Sequence, residues 1–143
     1  MLRRITFTAP TWATVPLRLA TGVAFVGHGA QKVLGSFGGP GFAKFVSFPA
    51  PFPFMRPSSL WMGAAAVAEL VGGALVLLGL LTRVGALLIV CVMVTVIFGV
   101  LWPKFFAPEG MELAVAFLAM ALALLILGGG QASLDRMIAG QRR

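Results

Sequence analysis

Charged side chains are scarce in this sequence. Asp, Glu, Lys and Arg make up only 10% of its 143 residues, 59% are hydrophobic, and the mean hydropathy is +1.01. Soluble domains carry about 25% charged residues, so an ordinary water-soluble domain is excluded as the body of the protein. A hydrocarbon core about 30 Å thick needs about 20 apolar residues for each helical crossing. We therefore expect one all-helical membrane domain over residues 1–143.

Cysteine and histidine occur only once each, as Cys91 and His28. A single cysteine excludes a disulfide within the chain, a four-thiolate metal site and a dithiol relay. A single histidine cannot ligate a haem from both sides, and flavin and iron–sulfur motifs are missing. We expect no resident metal, haem, flavin or iron–sulfur group, so a redox partner must be another polypeptide. Cys91 is expected to be a small apolar residue packed within a helix.

Acidic residues are fewer than basic ones, 4 against 11, which gives a formal charge of +7. The basic residues stand singly between apolar runs, whereas nucleic-acid binding requires a continuous basic face. Basic residues beside membrane spans instead indicate topology. In the predicted topology, one side of the membrane has six basic residues and the other has three. The six are Arg3, Arg4, Arg83, Arg136, Arg142 and Arg143, and the three are Lys44, Arg56 and Lys104. The excess predicts that both termini are cytoplasmic.

The apolar runs predict a bundle of four transmembrane helices, at about residues 14–34, 58–80, 84–101 and 111–127. Between the first two spans, residues 35–57 contain five prolines and six phenylalanines. This segment is too broken for a spanning helix and too apolar for a solvated loop, so we expect an interfacial loop with a short amphipathic helix. Residues 1–13 are expected to be a cytoplasmic lead-in that stays attached, and the tail a short helix capped by Ser133.

Ionisable residues inside the predicted spans are the main functional signal. On the first span, Arg18, His28 and Lys32 share one helical face, with Gln31 at its edge. Glu69 lies near the middle of the second span, where an unpaired carboxylate is very unfavourable, so it must be protonated, paired or next to a polar cavity. Small residues surround Glu69 and permit close helix packing: Ala65, Ala66, Ala68, Gly72 and Gly73. We expect the two spans to meet face to face, with Glu69 within reach of Arg18 or His28.

Two interpretations of this polar seam stay open. In the first, Glu69, His28 and Arg18 only hold the helices together by hydrogen bonds. In the second, His28 and Glu69 hydrogen-bond a quinone carbonyl and carry a proton, since histidine titrates near neutral pH. Glu112, at the start of the fourth span, suits a helix N-terminus. Its alternative role is to lean into the bundle towards His28 or Lys32.

Three segments resemble the DoxX family of small bacterial four-helix membrane proteins: LRLATGVAFVGHGAQKVLG, AELVGGALVLLGLLTRVGALL and MELAVAFLAMALALLILGGGQASLDRMI. The resemblance covers roughly residues 15–138. It implies membrane redox chemistry, since relatives are described as the quinone-linked membrane subunit of thiosulfate oxidation or as the membrane partner of a complex that protects against thiol and oxygen stress. It also implies which positions here are the family's polar ones: His28, Gln31, Lys32, Glu69, Arg83 and Glu112.

The leading hypothesis is a subunit of a quinone-linked oxidoreductase or of an oxidative and thiol-stress detoxification system, in the bacterial inner membrane. It assigns catalysis to Glu69 and His28, and ligand binding to Arg18, Gln31, Lys32, Arg83 and Glu112. Lipid, redox protein partners and a second copy of the chain are the expected partners, and nucleic acid is not. The alternatives are a scaffold subunit without chemistry and, third, a small transporter, which would need an internal repeat or a continuous polar path.

Overall fold

The structure is a computed structural model that describes residues 8–106 and 108–140, and within these ranges all regular structure is helical. Its helices are α1 (Thr14–Leu34), α2 (Gly41–Val46), α3 (Ser58–Leu78), α4 (Thr82–Val96), α5 (Glu112–Leu127) and α6 (Leu134–Gly140). A 3-10 turn at Ser36–Gly38 follows α1, and the π-helical segment Ile97–Leu101 continues α4. Arg3, Arg4, Arg142 and Arg143, which carry much of the predicted charge asymmetry, lie outside the described residues.

The long helices follow the apolar runs, and local chemistry sets their exact ends. α3 stops at Leu78 rather than at residue 80 because Gly79 takes a left-handed conformation with φ +67°, which ends the helix. α4 then begins at Thr82, two residues earlier than predicted, because a side chain from the C-terminal segment caps its first turn. The predicted amphipathic helix of the loop is α2.

Two helices among the described residues are long and apolar enough to cross a membrane: α3, and α4 with its continuation to Leu101. α5 is apolar but shorter. α1 has the length, but the polar residues that give the chain its functional signal lower its hydropathy. The helices thus have membrane character, strongest in the central pair of the chain.

α1 and α3 pack face to face, as the small residues predicted. Gly29 lies directly against the backbone of Leu70, and a Cβ atom added to it would stand 2.5 Å from the Leu70 Cα. Gly22 meets Leu77 in the same way, so the two antiparallel helices touch from Leu70 to Leu77 of α3. These contacts fix the register between the polar residues of α1 and Glu69.

α4 and α5 complete a ring of four long helices. Gly72 of α3 meets Gly85 of α4, and α5 packs on both α4 and α1, where the Phe25 and Phe117 rings meet edge to face at 5.4 Å. The shared core is apolar: Phe25, Val76, Ala86, Ile89, Ala121 and Leu124. All four long helices therefore contribute to one core.

Asp135, at the start of α6, is the cap of α4. Its carboxylate is 1% exposed and accepts hydrogen bonds from Leu81 N (2.7 Å), Thr82 N (2.9 Å) and Thr82 Oγ1 (2.8 Å). These donors belong to the first turn of α4, whose N–H groups have no partner within the helix. Ser133 accepts a hydrogen bond from Arg136 N at 3.2 Å, so it caps α6 as predicted.

Replacing Asp135 by Ala should lower the free energy of unfolding by about 1–3 kcal/mol, because it leaves buried donors without an acceptor. Thermal unfolding of the purified protein in detergent measures the loss. Met137→Ala, on the exposed side of the same short helix, is the matched control and should change little. Equal effects of the two variants would contradict the capping role.

Candidate functional site

Glu69 is paired, and its partner is Lys32. Lys32 Nζ lies 2.5 Å from each of the two carboxylate oxygens. The Glu69 side chain is 3% exposed and that of Lys32 is 23% exposed, so the pair lies inside the fold with the ammonium towards its outer edge. Glu69 stands at mid-helix, eleven residues after Ser58. Of the three states that the sequence allowed for this carboxylate, the structure has the paired one.

The Lys32–Glu69 pair borders a cavity of about 760 Å³ between the N-terminal half of α3 and the C-terminal half of α4 with its continuation. Apart from this pair and Thr95, the wall is apolar, with small residues on the α3 side: Ala64, Ala65 and Ala68. The helices touch at Gly72 and Gly85 and separate beyond that point, which leaves the space. Trp61, Ala64 and Cys91 are exposed at its edge, so the cavity opens sideways between the two helices.

The Phe/Pro-rich loop, residues 35–57, closes the end of this cavity that lies near the N-terminus of α3. Phe48, Pro49, Pro51 and Met55 line it, and Pro51 lies so close to Gly99 of the π-helical segment that a Cβ there would be 2.6 Å away. Phe45 of α2 belongs to the same wall, and Lys32 Nζ lies 5.3 Å from the centre of its ring. The loop that the sequence placed at the interface is thus a wall of the site.

Cys91 is not packed within the bundle as predicted. Its side chain is free and exposed, and it lines the cavity one turn before Thr95. The Thr95 hydroxyl donates to the Cys91 carbonyl oxygen at 2.9 Å, which satisfies a lone hydroxyl within an apolar helix. The chain's single thiol therefore faces the cavity.

Arg18 does not reach Glu69. Its guanidinium donates to Val76 O (3.0 Å), Leu77 O (2.9 Å), Gly129 O (3.1 Å) and Ala132 O. The first two are carbonyl groups of the last turn of α3, which have no donor within the helix. Arg18 therefore joins the C-terminal end of α3 to the glycine turn, residues 128–130, and to Ala132 before α6. The expectation that Arg18 lies within reach of Glu69 is wrong, because the register set by Gly22 and Gly29 keeps the two residues more than two helical turns apart. The assignment of Arg18 to ligand binding stays a prediction.

His28 lies outside the seam. It is exposed on the surface of α1, and no hydrogen bond joins it to another residue in the described part of the chain. α1 contacts α3 through Gly22 and Gly29, which rotates the His28 position towards the outside of the ring. The prediction that Glu69 and His28 form one pair is corrected: Lys32, one turn further along, takes the place assigned to His28.

The other predicted ligand-binding residues are spread over the molecule. Gln31 is half-buried, with its backbone against Gly39 of the loop. Arg83 Nη2 donates to Ile126 O at 2.8 Å, which links the start of α4 to the C-terminal end of α5. Glu112 is the first residue of α5 and is half-buried, at the helix N-terminus that suits a negative charge. None of the three lines the cavity.

The Lys32–Glu69 pair places an ammonium in a cavity whose wall is apolar apart from this pair and Thr95. An ammonium has three N–H donors, and Glu69 takes two of the directions available to Lys32. The remaining capacity suits a hydrogen-bond acceptor such as a carbonyl oxygen, with a flat or branched apolar body against the alanines and phenylalanines. The small residues around Glu69 were signals for this site, but they predicted helix contact and not an opening.

Comparison with known proteins gives one family. A family model described as DoxX matches residues 13–102, which is more than half of the chain and includes every residue that lines the cavity, Lys32 and Glu69 among them. No curated protein and no solved structure matches the chain.

Proposed function

The chain belongs to the DoxX family, a family of membrane proteins often linked to oxidoreductase functions, and we propose that it is a membrane subunit of a quinone-linked redox system. In this proposal the cavity between α3 and α4 binds a quinone or a similar small carbonyl ligand. The electrons come from a partner polypeptide, either an oxidoreductase or a component of an oxidative and thiol-stress detoxification complex. The observation that carries the proposal is the single ion pair, Lys32–Glu69, in an apolar cavity that opens sideways.

The residues around the cavity fit such a ligand. A volume of about 760 Å³ is in the range of small-molecule sites, and the wall is apolar apart from the ion pair and Thr95. The opening between α3 and α4 faces the direction from which a lipid-soluble molecule would arrive if both helices cross the bilayer. A quinone bound there would be one half of a redox couple that exchanges two electrons and two protons.

Lys32 and Glu69 then have separate tasks. Lys32 Nζ holds a proton at the cavity wall and donates a hydrogen bond to a ligand oxygen. Glu69 fixes the position of that ammonium, because its two carboxylate oxygens accept hydrogen bonds from Nζ at 2.5 Å. Phe45 and the proline loop exclude water from the outer side, which strengthens both interactions. His28, which was predicted to be catalytic, has no part in this mechanism.

We further propose the membrane arrangement on which this function depends. α1, α3, α4 and α5 each cross the bacterial inner membrane, and both termini lie in the cytoplasm. The six-to-three distribution of basic residues supports this orientation, as do the exposed rings of Trp61 and Trp102 at the outer ends of their helices. Reporter fusions at the two termini and at the 102–111 connection test it, and a reporter at either terminus that is active outside the cytoplasm would contradict it.

In the purified protein, a bound quinone should protect Cys91 from labelling by maleimide. The probe is a benzoquinone with an isoprenoid tail and every ring carbon substituted, since such a ring has no free position for thiol addition. We expect this quinone to slow maleimide labelling of Cys91 in detergent, measured by intact mass. Lys32→Met should weaken protection by about 10- to 100-fold in quinone concentration, because a hydrogen bond from a charged donor is lost.

Two variants keep this test decisive. Lys104→Met makes the same change in the exposed Lys104–Glu109 ion pair and should leave protection intact. Ala65→Phe fills the cavity while leaving both members of the ion pair in the sequence, and it should abolish protection. If protein purified from native membranes carries no quinone and the probe never protects the wild-type thiol, the ligand-binding proposal is wrong. A scaffold role then stands, in which variants change complex yield but not activity per complex.

A further inference from the structure

Thr95 brings a hydroxyl group to the wall of the cavity. The hydroxyl has a single hydrogen, and it donates that hydrogen to the Cys91 carbonyl oxygen at 2.9 Å. The lone pairs of the oxygen remain, and no donor among the described residues reaches them. Thr95 therefore offers the cavity a hydrogen-bond acceptor, whereas Lys32 offers it a donor.

The Glu69 carboxylate is less available as an acceptor for a ligand. Its side chain is 3% exposed, and both of its oxygens accept hydrogen bonds from Lys32 Nζ. Thr95 is only half-buried, and its oxygen makes no ion pair. A ligand hydroxyl can thus donate to Thr95 without disturbing the Lys32–Glu69 pair.

Thr95 and the ion pair stand at different levels of the cavity. Gly72 of α3 lies against Leu88 of α4. Counting away from this contact along the two antiparallel helices places Glu69 level with Cys91, and Thr95 lies four residues further. At 1.5 Å per residue, the two levels are about 6 Å apart. A six-membered ring with oxygen atoms at opposite positions spans such a separation, so one ligand can contact the ion pair and Thr95 at once.

We infer that Thr95 selects the reduced form of the ligand, the quinol, over the quinone, an inference that rests on the function proposed above. A quinone has two acceptor oxygens and no donor, so one oxygen accepts from Lys32 and the other faces the lone pairs of Thr95. In a quinol, one hydroxyl accepts from Lys32 and the other donates to Thr95. A cavity that binds the quinol more tightly also shifts the bound redox couple towards the quinol by the same factor.

Two ring ethers that differ in one hydroxyl test this selection. Both have a fully substituted ring with an isoprenoid tail. The quinol monomethyl ether has one hydroxyl and one ether oxygen, whereas the dimethyl ether has no donor. The measured quantity is the ratio of the concentrations at which the two ethers half-protect Cys91 from maleimide. Each protein's labelling is compared with its own rate without ligand, because Thr95 lies one turn from Cys91.

Variants at Thr95 separate the hydrogen bond from the difference in size between the two ethers. Thr95→Val keeps the branched shape and removes the acceptor, so it should lower the preference for the monomethyl ether by about 3- to 10-fold relative to the wild type. Thr95→Ser keeps the hydroxyl and should retain the preference. Thr11→Val makes the same change far from the cavity, where Thr11 Oγ1 accepts from Ala13 N, and should also retain it.

The quinone probe distinguishes a failure of this inference from a failure of the proposed function. If the quinone protects wild-type Cys91 but Thr95→Val leaves the ratio of the two ethers unchanged, the selection by Thr95 is wrong and the quinone site stands. If neither the quinone nor either ether protects the wild-type thiol, both are wrong. A ratio that falls in Thr95→Val and is kept in Thr95→Ser and Thr11→Val supports the selection of the quinol.

Discussion

Lys32→Met should lower the free energy of unfolding by about 3 kcal/mol or more, because it leaves the Glu69 carboxylate buried without its counter-charge. Glu69→Leu should cost less, since Lys32 is 23% exposed on its side chain and can turn its ammonium outwards. The double variant, Lys32→Met with Glu69→Leu, should recover much of the loss, because removal of both charges removes the desolvation penalty. Unfolding in mixed detergent micelles, followed by circular dichroism, measures all three.

The exposed ion pair of the chain is the control for this cycle. Lys104 Nζ and Glu109 Oε2 are also 2.5 Å apart, but their side chains are 64% and 74% exposed. Such pairs contribute at most about 1 kcal/mol, so Lys104→Met should change stability little. A Lys32→Met effect no larger than that of Lys104→Met would show that burial adds nothing to the Lys32–Glu69 pair. The same double variant should not bind quinone even when its stability is restored, which separates folding from ligand binding.

The long helices were predictable because their signal is local. An apolar run of about 20 residues specifies a helix by itself, and glycines or prolines mark its ends. α1 begins and ends at the predicted residues, whereas α4 begins earlier than predicted. The difference at α4 arises from Asp135, which lies more than fifty residues away in the sequence. A cap supplied from so far along the chain leaves no pattern beside the helix that it caps.

The partner of Glu69 could not be chosen from helical phase alone. His28 and Lys32 are four residues apart and therefore lie near one another on the same side of α1. The choice depends on the rotation and register of α1 against α3, which the contacts of Gly22 and Gly29 decide. In the sequence, the glycines of α1 are not distinguished from other small residues, although they decide this register. With the register fixed, Lys32 is the partner because its long side chain reaches Glu69.

The cavity depends on contacts that are more distant still. It exists because α3 and α4 separate beyond Gly72 and Gly85 and because Pro51 is wedged against Gly99. Neither the separation of the helices nor the Pro51–Gly99 contact leaves a periodic pattern in the sequence. The loop that forms the wall was predicted only to lie at the interface. Cys91 was misplaced for the same reason: a cysteine in an apolar run is usually packed, and only the opening beside it leaves it exposed.

Arg18→Met should lower the free energy of unfolding by about 3 kcal/mol or more, because four backbone carbonyls lose a charged donor. Arg18→Lys should recover only part of the loss, since one ammonium cannot reach acceptors on both sides of the guanidinium. The loss of structure should be confined to the segment that Arg18 holds. Limited proteolysis should therefore cut residues 128–134 faster in Arg18→Met than in the wild type. Arg56→Met, the same change at an exposed position, is the control.

The same variants decide whether Arg18 is a ligand-binding residue, as the sequence predicted, or a residue that holds the inner end of the bundle. Arg18 does not line the cavity, and its guanidinium bonds link α3 to the turn before α6. Folded Arg18→Lys protein should therefore protect Cys91 with the quinone probe at wild-type concentrations, although it unfolds more easily. A loss of protection without a loss of stability would return Arg18 to the ligand site, because a role confined to packing cannot weaken binding in a protein that remains fully folded.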